Sequence, residues 1–265
     1  ALGNEFIYIC PITLKDFFIL KINILNTTID NLSMEETLSK VEAAIDSKSQ
    51  LHHVAVNAAK IVQIQNDLQL RKSVNSSDII NADGQAVVWA ANFLNKPLKE
   101  RVAGIDLMQN LVKLAASKKY KIYFLGAEEA VVSKIVALYS KEFGQEIVAG
   151  YRNGYYQTEG EKEVVNDIVS SKANILFVAI TSPKKENFLY KYKKELAAVN
   201  CIMGVGGSFD VIAGKTKRAP AWMQDLGLEW FYRFLQEPKR MWKRYLVGNS
   251  KFILLVLKEK LKVKQ

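Results

Sequence analysis

Short apolar runs alternate along this chain with amphipathic stretches of helical period, and that alternation admits few folds. Residues 53–56, 78–81, 122–125, 147–149, 175–180 and 201–205 read as strands, preceded by a short apolar run at 22–24. Ser33-Met-Glu-Glu36 reads as a capping box opening a helix to about Ile45, with Leu38, Val41 and Ile45 on one face. Further helices are expected over 58–65, over a segment carrying Val87, Val88, Ala91 and Leu94 that stops before Pro97, and over 106–117, 129–143 and 161–171. After Pro183 a Lys-rich helix should run to about Leu196. Strands separated by helices of about 10–15 residues form βαβ units. The expected class is therefore α/β, a Rossmann-like and mostly parallel sheet with helices on both faces.

Such sheets bind ligands outside the carboxyl ends of their strands. Four strand ends here carry polar or glycine-rich sequence: Val56-Asn57, Ala82-Asp83-Gly84, the stretch from Ser182 to Glu186, and Gly204-Val205-Gly206-Gly207-Ser208-Phe209-Asp210. They should converge on one site.

Composition is that of an ordinary globular protein, 49% apolar and 24% charged over 265 residues, which excludes disordered, collagenous and disulfide-scaffold chains. The net charge of +10 is unusual, and it is unevenly placed. From Lys215 onward there are 13 Lys/Arg against 4 Asp/Glu, whereas residues 1–214 carry 24 against 23. Trp222, Trp230 and Trp242 also lie in that basic stretch. Cations mixed with Trp, Tyr and Leu suit a segment that lies on an anionic membrane surface. The expected division is a catalytic α/β domain over 1–214 and a basic, aromatic-rich helical appendage over 215–265 that closes the site and meets the membrane. Helical amphipathicity also allows the appendage to pack on the core or to form a homo-oligomer.

The longest apolar runs are six residues, such as 252–257, against about 20 needed to span a bilayer. No secretory pattern opens the chain, although 17–25 is moderately apolar. The expected location is cytoplasmic, peripheral on the inner face of the cell membrane. Cys10 and Cys201 build no disulfide framework, and His52 and His53 are the only histidines, so no metal site and no cofactor is expected.

Asp83, in Asn-Ala-Asp-Gly after a strand, is placed to act as a general base, although Asp-Gly is also a favoured turn pair. Asn57 can orient a sugar or cap the next helix. Gly206, Gly207 and Ser208 follow a strand where backbone N–H groups can approach phosphate, though a tight turn explains them as well. Asp210 suits ribose hydroxyls or an N-cap. None of the ten Asp residues lies two positions from another, so there is no D-x-D pair to hold a divalent cation. Basic side chains would then stabilise a diphosphate leaving group, the candidates being Arg101, Arg218, Arg233, Arg240, Lys243 and Arg244.

Taken in order, Val56-Asn-Ala-Ala-Lys60, Asn81-Ala-Asp-Gly84, Glu100-Arg-Val-Ala-Gly-Ile-Asp-Leu107, Phe124-Leu-Gly-Ala127, Gly154-Tyr155, Ser182-Pro-Lys-Lys-Glu186, the block from Met203 through Lys217-Arg-Ala-Pro220, and Gly227-Leu-Glu-Trp-Phe-Tyr-Arg233 with Glu237-Pro238 and Arg240 resemble the WecG/TagA/CpsF family of bacterial glycosyltransferases. The resemblance covers roughly residues 23–252. It implies an inverting, metal-independent transfer from a UDP-sugar donor to a polyprenyl-diphosphate-linked amino-sugar acceptor, in cell-surface polysaccharide synthesis such as wall teichoic acid assembly. It also implies Asp83 as base, Asn57 as a polar substrate contact, Asp210 near the nucleotide, and Arg233, Arg240 and Lys243 or Arg244 at the diphosphate and membrane.

Two positions depart from the family pattern. Ala55 stands where TagA-type members carry Thr, and Lys185 stands where Pro-Lys-Gln-Glu is usual. Lys185, as an extra cation beside the sugar nucleotide, would favour a uronic-acid donor over one of N-acetylmannosamine type. Two rival classes are weaker. An NAD(P)-dependent oxidoreductase needs a G-x-G-x-x-G that is missing after the first strands, and a nucleic-acid-binding protein, while accounting for the basic tail, needs no glycine-rich cleft.

Overall fold

The computed structural model describes residues 21–262, without the side chains of Arg240, Lys243 and Arg244. Cys10 and residues 17–20 of the 17–25 stretch lie outside the described residues. The chain begins with a hairpin, β1 (Lys21–Ile24) and β2 (Thr27–Asp30), paired antiparallel. Its two-residue turn, Leu25-Asn26, has positive φ at both positions (48° and 60°), the geometry that matches strand twist. Leu-Asn lacks the Gly that usually signals such a turn, so the hairpin was not legible in the sequence.

The expected alternation follows. α1 (Met34–Asp46) starts at a complete capping box, Ser33 Oγ accepting from the Glu36 N–H and the Glu36 carboxylate from the Ser33 N–H. Then come β3 (Leu51–Val56), α2 (Ala58–Asn66), α3 (Leu68–Asn75), β4 (Ile79–Ala82), α4 (Gln85–Phe93), α5 (Gly104–Lys118), β5 (Ile122–Gly126), α6 (Glu129–Phe143), β6 (Val148–Arg152), α7 (Glu161–Ser170), β7 (Ile175–Ala179), α8 (Lys184–Lys191) and β8 (Cys201–Gly204). Helix α3 is additional to the expected set. α8 stops at Lys191, short of Leu196, which belongs to a separate 3₁₀ turn.

Six strands form one parallel sheet in the order β4-β3-β8-β7-β5-β6. Alternation along β5 shows why its strands are apolar throughout. Ile122 and Phe124 enter the core beneath α1, α5 and α6, while Tyr123 and Leu125 enter the one beneath α7 and α8. Beyond β8 the chain is helical: α9 (Ser208–Ile212), α10 (Ala221–Asp225), α11 (Glu229–Gln236), α12 (Pro238–Trp242), a π-helical turn Lys243–Val247, and α13 (Gly248–Lys262). Phe252 and Val256 of α13 are buried with Ile22, Ile24 and Ile29 of the hairpin and Ile61 and Ile64 of α2. This part of the basic stretch is therefore a core-packing element as well.

Candidate active site

The carboxyl ends of β3, β4, β7 and β8 lie on one edge of the parallel sheet, and Asp83 follows β4 there. Its N–H donates to the Val56 carbonyl at 2.9 Å, and its Oδ1 accepts from the N–H of Gly104, the first residue of α5, at 2.8 Å. The positive end of the α5 dipole thus faces a half-buried carboxylate and holds it in one orientation. Asn57 caps α2, its Oδ1 accepting from the Lys60 N–H at 3.1 Å. A Cβ on Gly84 would lie 3.3 Å from Asn57 Cβ, so the cap and the Asp83-Gly84 turn are neighbours. Both readings of Asn57 remain compatible, because the cap uses only its oxygen.

Gly206, Gly207 and Ser208 form the turn after β8, with Ser208 buried and its Oγ donating to the Val205 carbonyl at 2.8 Å. Arg233 reaches this turn from α11. A Cβ on Gly207 would fall 2.2 Å from Arg233 Nη2, so a larger residue there would make the guanidinium shift from the loop. Arg218 forks onto Asp106, Nη1 to Oδ1 and Nη2 to Oδ2 both at 2.7 Å, and its Nε lies 3.8 Å from Glu229. Arg101 pairs with the same Glu229. Burial opposes the charge on Arg218, yet Asp106, Glu229 and the nearby Asp83 together raise its pKa above the ordinary value. The structure therefore joins Asp83, Asp106, Arg101, Arg218 and Glu229 in one charged patch. Sequence reasoning missed the two carboxylates, Asp106 and Glu229.

Asp210 is not an N-cap; Gly207 holds that place before α9. The Asp210 carbonyl accepts from the N–H groups of Lys215 and Thr216, and its side chain lines a cavity of about 320 Å³ with Lys215, Thr216, Gln236 and Glu237. The side chains of Arg240, Lys243 and Arg244 lie outside the described residues.

Lys185 does not stand as a spare cation. It is 5% exposed and pairs with Glu186, which is 1% exposed. Lys60 reaches the same Glu186 oxygen at 2.8 Å and donates to the Ala55 carbonyl at 2.8 Å. Burial and the neighbouring Lys60 ammonium push Lys185 down to about 8. Burial would raise the Glu186 carboxyl, but the two ammonium groups outweigh it and hold it below the usual range. The expectation of a free cation for an acidic donor is corrected on this point, since Lys185 is buried and paired with Glu186, although Lys60 shares that carboxylate and the triad keeps one positive charge in excess. The signal was present in the sequence as Lys60 and Glu186, two charges in otherwise apolar or turn-like contexts.

His52 and His53 are buried in β3, and burial lowers them to about 3 and about 4, so both are neutral near pH 7. His53 Nε2 meets Asn81 Oδ1 at 2.9 Å. Cys201 is buried, which pushes its thiol up to about 12. Among the described residues no helix is long and apolar enough to cross a membrane. α13 nonetheless presents Leu254, Leu257, Lys258 and Leu261 outward at helical spacing, opposite buried Phe252 and Val256.

Against known proteins, the family model described as glycosyl transferase WecG/TagA/CpsF matches residues 22–265. The chain is 39% identical over 186 residues to a protein of Bacillus subtilis (strain 168) named N-acetylglucosaminyldiphosphoundecaprenol N-acetyl-beta-D-mannosaminyltransferase, covering 70% of this chain and 71% of that one. It is 31% identical over 251 residues to a protein of the same name from Staphylococcus aureus (strain MW2), covering 92% and 95% respectively.

Proposed function

The chain belongs to the WecG/TagA/CpsF family of glycosyltransferases, and from that premise we propose that it transfers an N-acetylmannosamine-type sugar from a UDP-sugar to a GlcNAc-type acceptor on undecaprenyl diphosphate. The product would serve cell-surface polysaccharide synthesis. The sugar and the acceptor follow the names of the relatives. The uronic-acid alternative rested on Lys185 as a free cation, and its burial against Glu186 weakens that alternative.

Asp83 carries the reading. Held by the α5 N-terminus at the carboxyl end of β4, its carboxylate takes the proton from an acceptor hydroxyl. That oxygen bonds to the anomeric carbon from the face opposite UDP, the bond from that carbon to the diphosphate oxygen breaks, and the configuration inverts. Arg233, seated on the glycine turn, meets the charge that develops on the departing diphosphate. Arg101 and Arg218 are held beside it by Glu229 and Asp106. With no D-x-D in the sequence, Arg233 is the reading's substitute for a divalent cation, the charges of Arg101 and Arg218 being balanced by Glu229 and Asp106. The appendage therefore closes the site through α11, and the outward face of α13 supports contact with an anionic bilayer.

The test is Asp83→Asn. The amide oxygen of Asn keeps an acceptor for the Gly104 N–H, so fold and UDP binding should persist while turnover falls about 10²–10⁴-fold. Near-normal turnover would remove Asp83 from the mechanism.

A further inference from the structure

Helix α4 begins two residues after Asp83 and buries Val87, Val88, Ala90 and Ala91 in the core. Its outer side carries Trp89 and Phe93, four residues apart and therefore on one face, 53% and 48% exposed. Two large aromatics side by side in water are uncommon on a protein surface without a ligand or partner.

Both ends of this face are bounded by the C-terminal segment. At Trp89 the corner between α10 and α11 closes in: Gly227, at φ +70°, is so near that a Cβ there would lie 3.3 Å from the Trp89 ring and 2.7 Å from Gln85 Cγ. α10 adds exposed Trp222 and Leu226 beside that corner. At the far end Lys260 of α13 donates to the Phe93 carbonyl, with its ammonium 5.2 Å from the ring centroid. Leu257 and Leu261 of α13 are exposed close by in sequence. An aromatic face thus begins at Trp89, about 6 Å along α4 from its first residue, and ends at the helix whose outer face suits a bilayer.

We propose that the Trp89–Phe93 face is a subsite for the first isoprene units of the lipid-linked acceptor. This rests on the acceptor proposed above. Such a substrate must place a sugar hydroxyl at Asp83 while its prenyl chain leaves the site, and α4 offers an aromatic face one turn beyond Gln85. Rigid aromatic faces give contact area to an isoprenoid at little entropic cost. The outward face of α13 meets the bilayer, whereas α4 meets the chain of one substrate molecule. The two surfaces are separable by substitution.

The test uses the full chain with Trp89→Ser and Phe93→Ser combined. Turnover is measured on two GlcNAc-diphosphate acceptors, one on a short water-soluble alkyl group and one on a longer prenyl chain. Calorimetry measures binding of farnesyl diphosphate, which carries no sugar. The expected result is a KM for the prenyl acceptor at least about tenfold higher, with kcat and KM for the short acceptor unchanged and farnesyl diphosphate binding weakened in step. Vesicle binding and particle mass should stay as in the parent. Equal losses on both acceptors would overturn the subsite in favour of a structural role. Lost vesicle binding would assign the face to the bilayer, and a changed mass would assign it to a second copy, each overturning the proposal. If the parent turned over neither acceptor, the activity reading would fail, while weakened farnesyl diphosphate binding in the variant would still support the subsite and unchanged binding would overturn it.

Discussion

Lys185→Gln should make the protein more stable at neutral pH, although it removes one partner of a buried ion pair. Deleting a partner usually costs about 3–5 kcal/mol, because the other charge is stranded. Here Glu186 is not stranded, since Lys60 remains at 2.8 Å from the same oxygen. The triad of two ammonium groups and one carboxylate becomes a balanced pair. Lys185 is held down to about 8 from 10.5, burial first and Lys60 second. At about 1.4 kcal/mol per tenfold, keeping it charged at pH 7 costs the fold about 3 kcal/mol. Burying an imperfectly bonded amide in its place returns about 1 kcal/mol of that. A net gain of about 2 kcal/mol, or a rise in Tm of about 4–8 °C, is expected.

The pH dependence gives the sharper result. Between about 8 and 10.5 the unfolded chain still binds the Lys185 proton and the folded protein does not, so stability from this group rises with pH across that window. Its cost is present in full below about 8 and is gone above 10.5. Urea unfolding followed by circular dichroism at pH 7 and pH 10 should show the variant's advantage at pH 7 largely lost at pH 10. Glu186→Gln, which leaves two ammonium groups facing each other, should lose about 3–5 kcal/mol at pH 7. A less stable Lys185→Gln protein at pH 7, or an equal difference at both pH values, would refute the reasoning.

Gly207→Ala should lower turnover, and Arg233→Ala should lower it more, because the new Cβ displaces the guanidinium that the second substitution removes; the double variant should lose little more than Arg233→Ala alone, read as a double-mutant cycle on kcat/KM. Changing Leu254, Leu257 and Leu261 together to Ser should reduce co-sedimentation with anionic vesicles while leaving turnover on a soluble acceptor intact; unchanged sedimentation would clear α13 of a membrane role. Phe252→Ala should cost about 3–5 kcal/mol in urea unfolding, since its ring is buried beneath the hairpin and α2.

The fold was legible where periodicity speaks. The capping box at Ser33, the span of α6 and the apolar run of β7 need no tertiary information. The strand order was not legible, because nothing local tells β8 to insert between β3 and β7. The β1–β2 hairpin escaped because Leu25 and Asn26 adopt positive φ without glycine. At the site, Asp83 and Asn57 could be found because each follows a strand. Asp106 and Glu229 were missed because Arg218 and Arg101 lie 112 and 128 positions away in sequence; Lys185 and Glu186 are adjacent, and what stayed hidden was their burial and the approach of Lys60.

Glu259 of α13 accepts from the Leu25 N–H in the turn of the first hairpin, across 234 residues, and pairs with Lys96. Phe252 and Val256 fill the hairpin core from the same helix. The earliest described element is thus completed by the last. During synthesis, the hairpin packs on α2, α3 and α4 as they emerge, but the part of its core that Phe252 and Val256 fill stays open until α13 leaves the ribosome. Closing so long a loop late makes this core a slow step of folding and the place where a chaperone has most to protect. It also ties the two ends of the described chain together, so that α13 and the hairpin complete one core jointly.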